Sequence, residues 1–160
     1  MERVNQILKN QVFSEQLKKL SRLEQGRIYC GHGIDHLLAV ARIAYIKTLE
    51  EGLPFQKDII YAAALLHDVG RAAQYETGIP HDQAGALLAE TILSECGFDA
   101  AEREEILTAI RGHRDRTKAG GTPLGLLIYE ADKRSRACFA CQAQDTCDWP
   151  MEKKNYSIRR

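Results

Sequence analysis

An imidazole and a carboxylate, His67 and Asp68, stand side by side at the end of the apolar run Ile59-Ile60-Tyr61-Ala62-Ala63-Ala64-Leu65-Leu66, just before Val69-Gly70-Arg71. A run this apolar enters a core and carries the two polar groups in with it. Burying an isolated charge is so unfavourable that such groups are paired or bound to a cation. The dipeptide therefore requires partners from elsewhere in the chain, and the fold must deliver them.

The rest of the chain reads as helix. Within residues 82–96, Ala84, Leu87, Leu88, Thr91, Ile92 and Cys96 recur at helical spacing, and Gly97 reads as the stop. Asp99-Ala100-Ala101-Glu102 has the form of a capping box, opening a helix with Ile106, Leu107 and Ile110 on one face. Thr122-Pro123 is a cap followed by proline at the first helical position, ahead of inward-facing Leu124, Leu127, Ile128 and Ala131. Earlier helices are predicted over residues 3–25, 34–51 and 55–68, and no segment alternates like a half-buried strand. The chain of 160 residues is long enough for one domain with an ample core. The expected fold is all-α, with a helical domain over 1–137 and its core at about 25–137. A short cysteine-containing extension, 138–160, is expected to close over that body, with Trp149 and Tyr156 as anchors.

Formal net charge is zero, so bulk electrostatics favour neither nucleic acid nor an anionic membrane. The N-terminus lacks an apolar signal core, and no run approaches the roughly 20 apolar residues of a membrane span. The expected location is the cytoplasm. The odd count of five cysteines, without a secretory signal, argues against a disulfide framework.

The five histidines are His32, His36, His67, His81 and His113. His36 lies four residues before Val40, and His113 lies three after Ile110 and seven after Ile106. Asp132 lies four after Ile128 and eight after Leu124. Each is a polar group on an apolar face, where leucine would ordinarily stand. One alone reads best as a satisfied core residue. Several together with His67-Asp68 read as imidazole and carboxylate ligands for zinc, iron, manganese or a similar ion.

The order His36, His67-Asp68, Asp132 on successive helices resembles the HD-domain superfamily of metal-dependent phosphohydrolases. The strings around them fit that resemblance: His32-Gly33-Ile34-Asp35-His36, Ala62-Ala63-Ala64-Leu65-Leu66-His67-Asp68-Val69-Gly70 and Glu130-Ala131-Asp132-Lys133. The resemblance implies an HD-type helical bundle in which His36, His67, Asp68 and Asp132 surround one divalent ion. Pro80-His81-Asp82 and Gly112-His113-Arg114 are similar to dinuclear members, including hydrolases that split diadenosine tetraphosphate symmetrically. That similarity implies a second ion held by His81 and His113, with Asp68 as the bridge. The ions implied are iron, manganese, zinc, cobalt or nickel, one or two per chain. The residues alone also allow His81 to be a plain helix start and His113 a phosphate contact. His32 is open to orienting a ligand, donating to substrate, or sitting exposed.

The expected activity is hydrolysis of a phosphate ester or anhydride in a small nucleotide-like molecule by metal-activated water, with Asp68, His32 and Arg71 in the catalytic set. Phosphoryl transfer needs positive charge around the equatorial oxygens. Arg71, Arg111, Arg114, Lys133 and Arg136 are the candidate substrate cations, with Arg116 and Lys118 nearby in sequence. A nucleic-acid partner is not expected, since the basic groups are local and lack interleaved aromatics. Nothing in the sequence sets an oligomeric state. Cys138, Cys141 and Cys147 form C-x2-C-x5-C, and Cys30 is a candidate fourth thiolate for a separate zinc or iron–sulfur site. Cys96 continues an apolar face and reads as core. Two other readings compete with the enzyme: a metal- and nucleotide-binding regulatory module without turnover, and a thiolate metal protein whose His/Asp site is secondary.

Overall fold

One helix, α4 (Lys57–Leu66), is buried along most of its length and organises the molecule. Ile59, Ile60 and every residue from Ala62 to Leu66 are inaccessible or nearly so. The three consecutive alanines make the helix thin, so neighbours approach it closely from several sides. The computed structural model describes residues 1–119 and 121–158, and the side chains of Lys118 and Ala119 lie outside what it describes.

Around α4 stand α1 (Glu2–Lys9), α3 (Ile34–Glu51), α6 (His81–Glu95), α7 (Ala100–Gly112) and α9 (Pro123–Arg134), all in contact with it. Two further helices, α2 (Gln11–Leu23) and α5 (Arg71–Thr77), pack together beside this group, and the short α8 (Arg116–Ala119) leans on α7 and α9. Two 3₁₀ turns, Cys138–Ala140 and Met151–Lys153, follow. The described residues contain no strand, so the all-α expectation holds.

Several predicted boundaries are observed with their chemistry. The Asp99 side chain accepts from Glu102 N, and Glu102 reaches back to Asp99 N. Thr122 accepts from Gly125 N with Pro123 at the first helical position. Gly97 stops α6 at φ +77, and Cys96 is core. Other boundaries differ. The single helix predicted over 3–25 is two, because Asn10 leaves helical geometry (ψ 133) and its side chain caps Phe13 N. The helix predicted to run to 68 ends at Leu66, and residues 67–70 form a tight turn into α5. In α6 the buried face is Ala84, Ala86, Ala89, Ile92 and Leu93, whereas Leu87 is 77% exposed and Thr91 is exposed as well. The stripe of small residues wins that face because α6 packs closely on the turn at Gly70.

Arg3 ties the N-terminal helix to the bundle. Its guanidinium lies over the Phe98 ring at 4.3 Å, donates to Asp58 of α4, and donates to Glu102 Oε1 and Oε2 at 3.0 and 2.5 Å. The Arg3 hydrogen bond holds the Glu102 carboxyl below its ordinary 4.5, against a smaller upward push from burial. A depressed carboxylate adds stability above its ordinary value and loses it as pH falls through its folded value. Arg3→Ala is expected to cost about 1–2 kcal/mol, between an exposed ion pair and a buried charged hydrogen bond. In urea melts the gap between wild type and variant should stay constant near neutrality and close only below pH 4.5.

Candidate metal centre

The turn after α4 places His67 and Asp68 at the helix C-terminus, where the backbone carbonyls already carry partial negative charge. Adding a buried carboxylate there is unfavourable unless a cation balances it. The neighbouring helices converge on this point: α3 contributes His36, the first turn of α6 contributes His81, the C-terminal end of α7 contributes His113, and α9 contributes Asp132. All six are buried or nearly so.

The two oxygens of Asp68 face two different sets. Asp68 Oδ2 lies 3.2 Å from His67 Nε2 and 3.6 Å from His36 Nε2. Asp132 Oδ1 flanks the same pair at 3.3 Å from His36 Nε2 and 4.0 Å from His67 Nε2. Asp68 Oδ1 lies 3.2 Å from His81 Nε2 and 3.6 Å from His113 Nε2. Among the described residues, two groups can each hold a metal ion: His36, His67 and Asp68, and Asp68, His81 and His113. Asp68 belongs to both.

The outer nitrogens set the chemistry of the inner ones. His67 Nδ1 donates to Ala64 O at 2.7 Å, and His113 Nδ1 donates to Ile110 O at 2.6 Å. His81 Nδ1 donates to Gln74 Oε1 at 2.5 Å. Ser135 Oγ gives its proton to Asp132 O at 2.7 Å, which leaves it to accept from His36 Nδ1 at 3.2 Å. Each ring thus spends its proton outward and turns an Nε2 lone pair inward, the arrangement metal-ligating histidines use. His81 Nε2 and His113 Nε2 are 3.1 Å apart. With both Nδ1 atoms protonated they cannot hydrogen-bond each other, but they can share an ion. His67 Nε2 and Asp68 Oδ2 are fully buried without any hydrogen-bond partner. Two orphaned acceptors facing each other are tolerable only with a cation between them, so these residues fit a divalent metal.

Burial pushes the His36 imidazole down, but Asp132 and Asp68 outweigh it and raise it, so without an ion the two carboxylates draw a proton to its Nε2. The shifts of the other groups favour ligation directly. Burial pushes the Asp68 carboxyl up, but His67, His113 and His36 outweigh it and hold it well below the usual range. Asp132 is likewise lowered, burial being outweighed by His36 and by Arg136. Burial, with Asp68 opposing, drives His81 down to about 2. At neutral pH both carboxylates are charged and His81 is neutral, as metal ligation requires.

His32 is not exposed. It is 4% accessible, and its Nδ1 lies 2.5 Å from Glu24 Oε1 while its backbone N–H donates to Glu24 Oε2 at 2.9 Å. An ion pair would raise the histidine. Instead burial takes it down to about 4, Asp68 opposing and Arg71 reinforcing, while Glu24 is lowered by the His32 hydrogen bonds despite its own burial. His32 is therefore neutral, gives Nδ1–H to Glu24, and keeps Nε2 as an acceptor.

The candidate substrate cations divide. A cavity of about 460 Å³ adjoins the centre, and His32, Arg71, Asp132, Lys133 and Arg136 line it. Arg71 Nε donates to Asp68 Oδ1 at 2.9 Å. Lys133 Nζ and Arg136 Nη2 hold the two oxygens of Asp132 at 2.5 and 2.9 Å. Arg136 is 7% accessible, and its Nε is a buried donor with no partner. Arg111 and Arg114 are not among the lining residues: they border a separate cleft of about 260 Å³ with Asp82 and Asp115. Arg111 pairs with Glu104 and Arg114 with Asp82. Both lie near the ends of α7, where solvated cations are ordinarily found. Gln74, Ser135 and Glu24, which orient three of the histidines, carry no sequence signal of that role, because each is distant in the chain or an ordinary polar residue.

Comparison with known proteins matches this arrangement. The family model described as "HD domain" matches residues 33–137. A protein of Clostridium beijerinckii, described only as uncharacterized, is 41% identical over 99% of both chains. Ribonuclease Y 1 of Pediococcus pentosaceus is 31% identical over 77% of this chain, but the match spans 22% of the ribonuclease. A crystal structure of a predicted HD superfamily hydrolase from an uncultured Thermotogales bacterium is similar at a TM-score of 0.64 and 26% identity, over 88% of this chain and 80% of the other. With its ordered His and Asp side chains gathered on one bundle and that match across most of its length, the chain belongs to the HD domain family.

Proposed function

We propose that the protein is a metal-dependent phosphohydrolase that cleaves a phosphate ester or anhydride of a small nucleotide-like molecule. The observation that carries this reading is Asp68, whose two oxygens face two separate sets of imidazole lone pairs. His36, His67 and Asp132 would hold one ion, His81 and His113 the other, with Asp68 between them. Divalent ions so held supply Lewis-acid polarisation and water acidic enough to give hydroxide near neutrality.

The chain's own groups do the rest. Arg71, Lys133 and Arg136 line the cavity and supply positive charge for phosphate oxygens. Arg136 has a buried Nε donor to offer, and its planar fork can meet a phosphate with two hydrogen bonds. His32 lines the cavity with Nε2 left as a hydrogen-bond acceptor, and Glu24 holds the ring in that tautomer, so it would orient a substrate hydroxyl or a water. A cavity of about 460 Å³ suits a nucleotide-sized ligand better than a polymer.

The ribonuclease Y matches favour a second reading, hydrolysis of an RNA phosphodiester. The zero net charge weighs against it, since polyanion binding rests on neutralising many phosphates. Metal-stripped protein reloaded anaerobically with manganese, iron, cobalt or nickel should be screened for phosphate release from mononucleotides, dinucleoside polyphosphates and short RNA. Turnover of a small nucleotide above RNA is the expected result. Metal and nucleotide binding without turnover would identify a regulatory module instead.

Arg136→Lys is expected to lower kcat/KM about 10–100-fold, the loss of one charged hydrogen bond of about 1.5–3 kcal/mol. Metal content should not change. A variant with wild-type kcat/KM would remove Arg136 from the substrate site.

A further inference from the structure

The four cysteines that sequence spacing singles out come from two distant stretches of chain. Cys30 lies in the loop before α3, and Cys138, Cys141 and Cys147 lie beyond α9. All four are free, and all four line the cavity beside the Asp68 centre. Cys30, Cys138 and Cys141 also border the adjoining cleft of about 400 Å³. Polar groups hold the backbone of each loop. Arg27 Nε donates to Cys30 O at 3.0 Å, Gln144 Nε2 to Cys138 O at 2.6 Å, and Lys154 Nζ to Cys147 O at 3.0 Å. Asn155 Nδ2 then fastens the tail to Lys133 O and Arg136 O at 2.7 and 2.9 Å.

The extension buries little apolar surface, although half-buried Trp149, expected as an anchor, sets its ring 5.5 Å from Lys133 Nζ and 5.8 Å from the Arg136 guanidinium. Its buried residues are Cys138, Ala143, Lys154 and Asn155, whereas Tyr156, expected as an anchor, is 44% exposed. A segment this short with so little apolar burial ordinarily needs a staple such as a metal. The charge around the thiols suits an anionic group, since Arg27, Lys133, Arg136 and Lys154 line the same space.

We infer that Cys30, Cys138, Cys141 and Cys147 bind an iron–sulfur cluster that closes the cysteine end of this cavity and staples the C-terminal extension to the bundle. Spacing weighs against a single zinc ion. Tetrahedral zinc with Zn–S of about 2.3 Å draws its sulfurs to roughly 3.8 Å from one another. Among the described residues, the two groups of three ligands within 4.8 Å of each other both contain Asp68, and neither includes a cysteine. In a cubane each thiolate holds its own iron, so the four sulfurs stand farther apart around a larger body. The inference stands independently of the proposed hydrolysis.

The test is iron, zinc and acid-labile sulfide analysis of full-length protein purified anaerobically, because the His/Asp centre binds no sulfide. Roughly four sulfides per chain are expected for a Cys₄ cubane, with broad visible absorbance that bleaches on reduction. Cys30→Ser and Cys147→Ser should lose most of the sulfide, whereas Cys96→Ser and Asp68→Ala should retain it. Wild-type protein without sulfide, with or without stoichiometric zinc, would overturn the inference. So would sulfide that persists in both cysteine variants. If those variants fail to fold, the wild-type sulfide content decides alone.

Discussion

Asp68→Ala is expected to release both metal equivalents and to abolish phosphohydrolase turnover in one step. The reason is geometric: Oδ2 faces the His36/His67 side and Oδ1 faces the His81/His113 side, and among the described residues Asp68 is the one shared by both groups. Losing metal-centred charge stabilisation removes several kcal/mol from the transition state, a fall on the order of 10³-fold or more. The readouts are metal per chain after dialysis and the rate of phosphate release. Thermal melts give an independent check, since a ligand that binds only the folded state raises the midpoint. Manganese should raise the wild-type midpoint and leave that of Asp68→Ala unmoved. The alanine protein also loses the carboxylate that Arg71 holds, so Asp68→Asn should be measured beside it. The asparagine keeps the shape of the site and lacks the bridging charge. Turnover surviving metal removal in either variant would refute metal-centred hydrolysis.

Gly70→Ala is the second large effect, and it involves no ligand. A Cβ at Gly70 would stand 2.3 Å from His81 O and 2.4 Å from Gly85 N, both backbone atoms. Backbone cannot swing aside as a side chain can, so α6 must move away from the turn that follows Asp68. Overpacking of this kind costs about 1–3 kcal/mol, and the upper end is expected where backbone meets backbone. The consequence for the site is selective. His81 opens α6 and would shift with it, whereas His36 and Asp132 stand on α3 and α9 and His67 is held at the end of buried α4 by its bond to Ala64 O. Gly70→Ala should therefore lower the denaturant midpoint and weaken metal binding at the proposed His81/His113 site before the proposed His36/His67 site. Stoichiometry falling toward one ion per chain would show this, and an unchanged metal content would show that the close Gly70–Gly85 approach is not what places His81.

Much of this architecture could be read from local chemistry. The capping box at Asp99, the Thr122-Pro123 start and the inward faces of α7 and α9 depend on residues within a few positions of each other. The inward setting of His36, His113 and Asp132 follows from helical period alone. Where the structure departs from these local rules, the deciding contact is remote or is a cap inside a helical pattern. Asn10 is a local cap within an otherwise helical pattern, and it divides one expected helix into two. Leu87 points outward because small residues, not large ones, were needed against the Gly70 turn. Arg111 and Arg114 are close to His113 in sequence, yet the helix end carries their guanidiniums to a different cleft.

By itself, then, the sequence determined that this chain is a helical bundle with imidazoles and carboxylates on its inner faces, because helical period and capping act over a few residues. Only the tertiary structure decided how those groups share their work. The opposed oxygens of Asp68, the outward protons taken by Gln74 and Ser135, and the Glu24 hold on His32 join groups that spacing does not relate, whereas the Ala64 and Ile110 carbonyls lie only three residues before the histidines they hold. A hydrogen bond acts over about 3 Å and is directional, so packing alone fixes which nitrogen meets which oxygen.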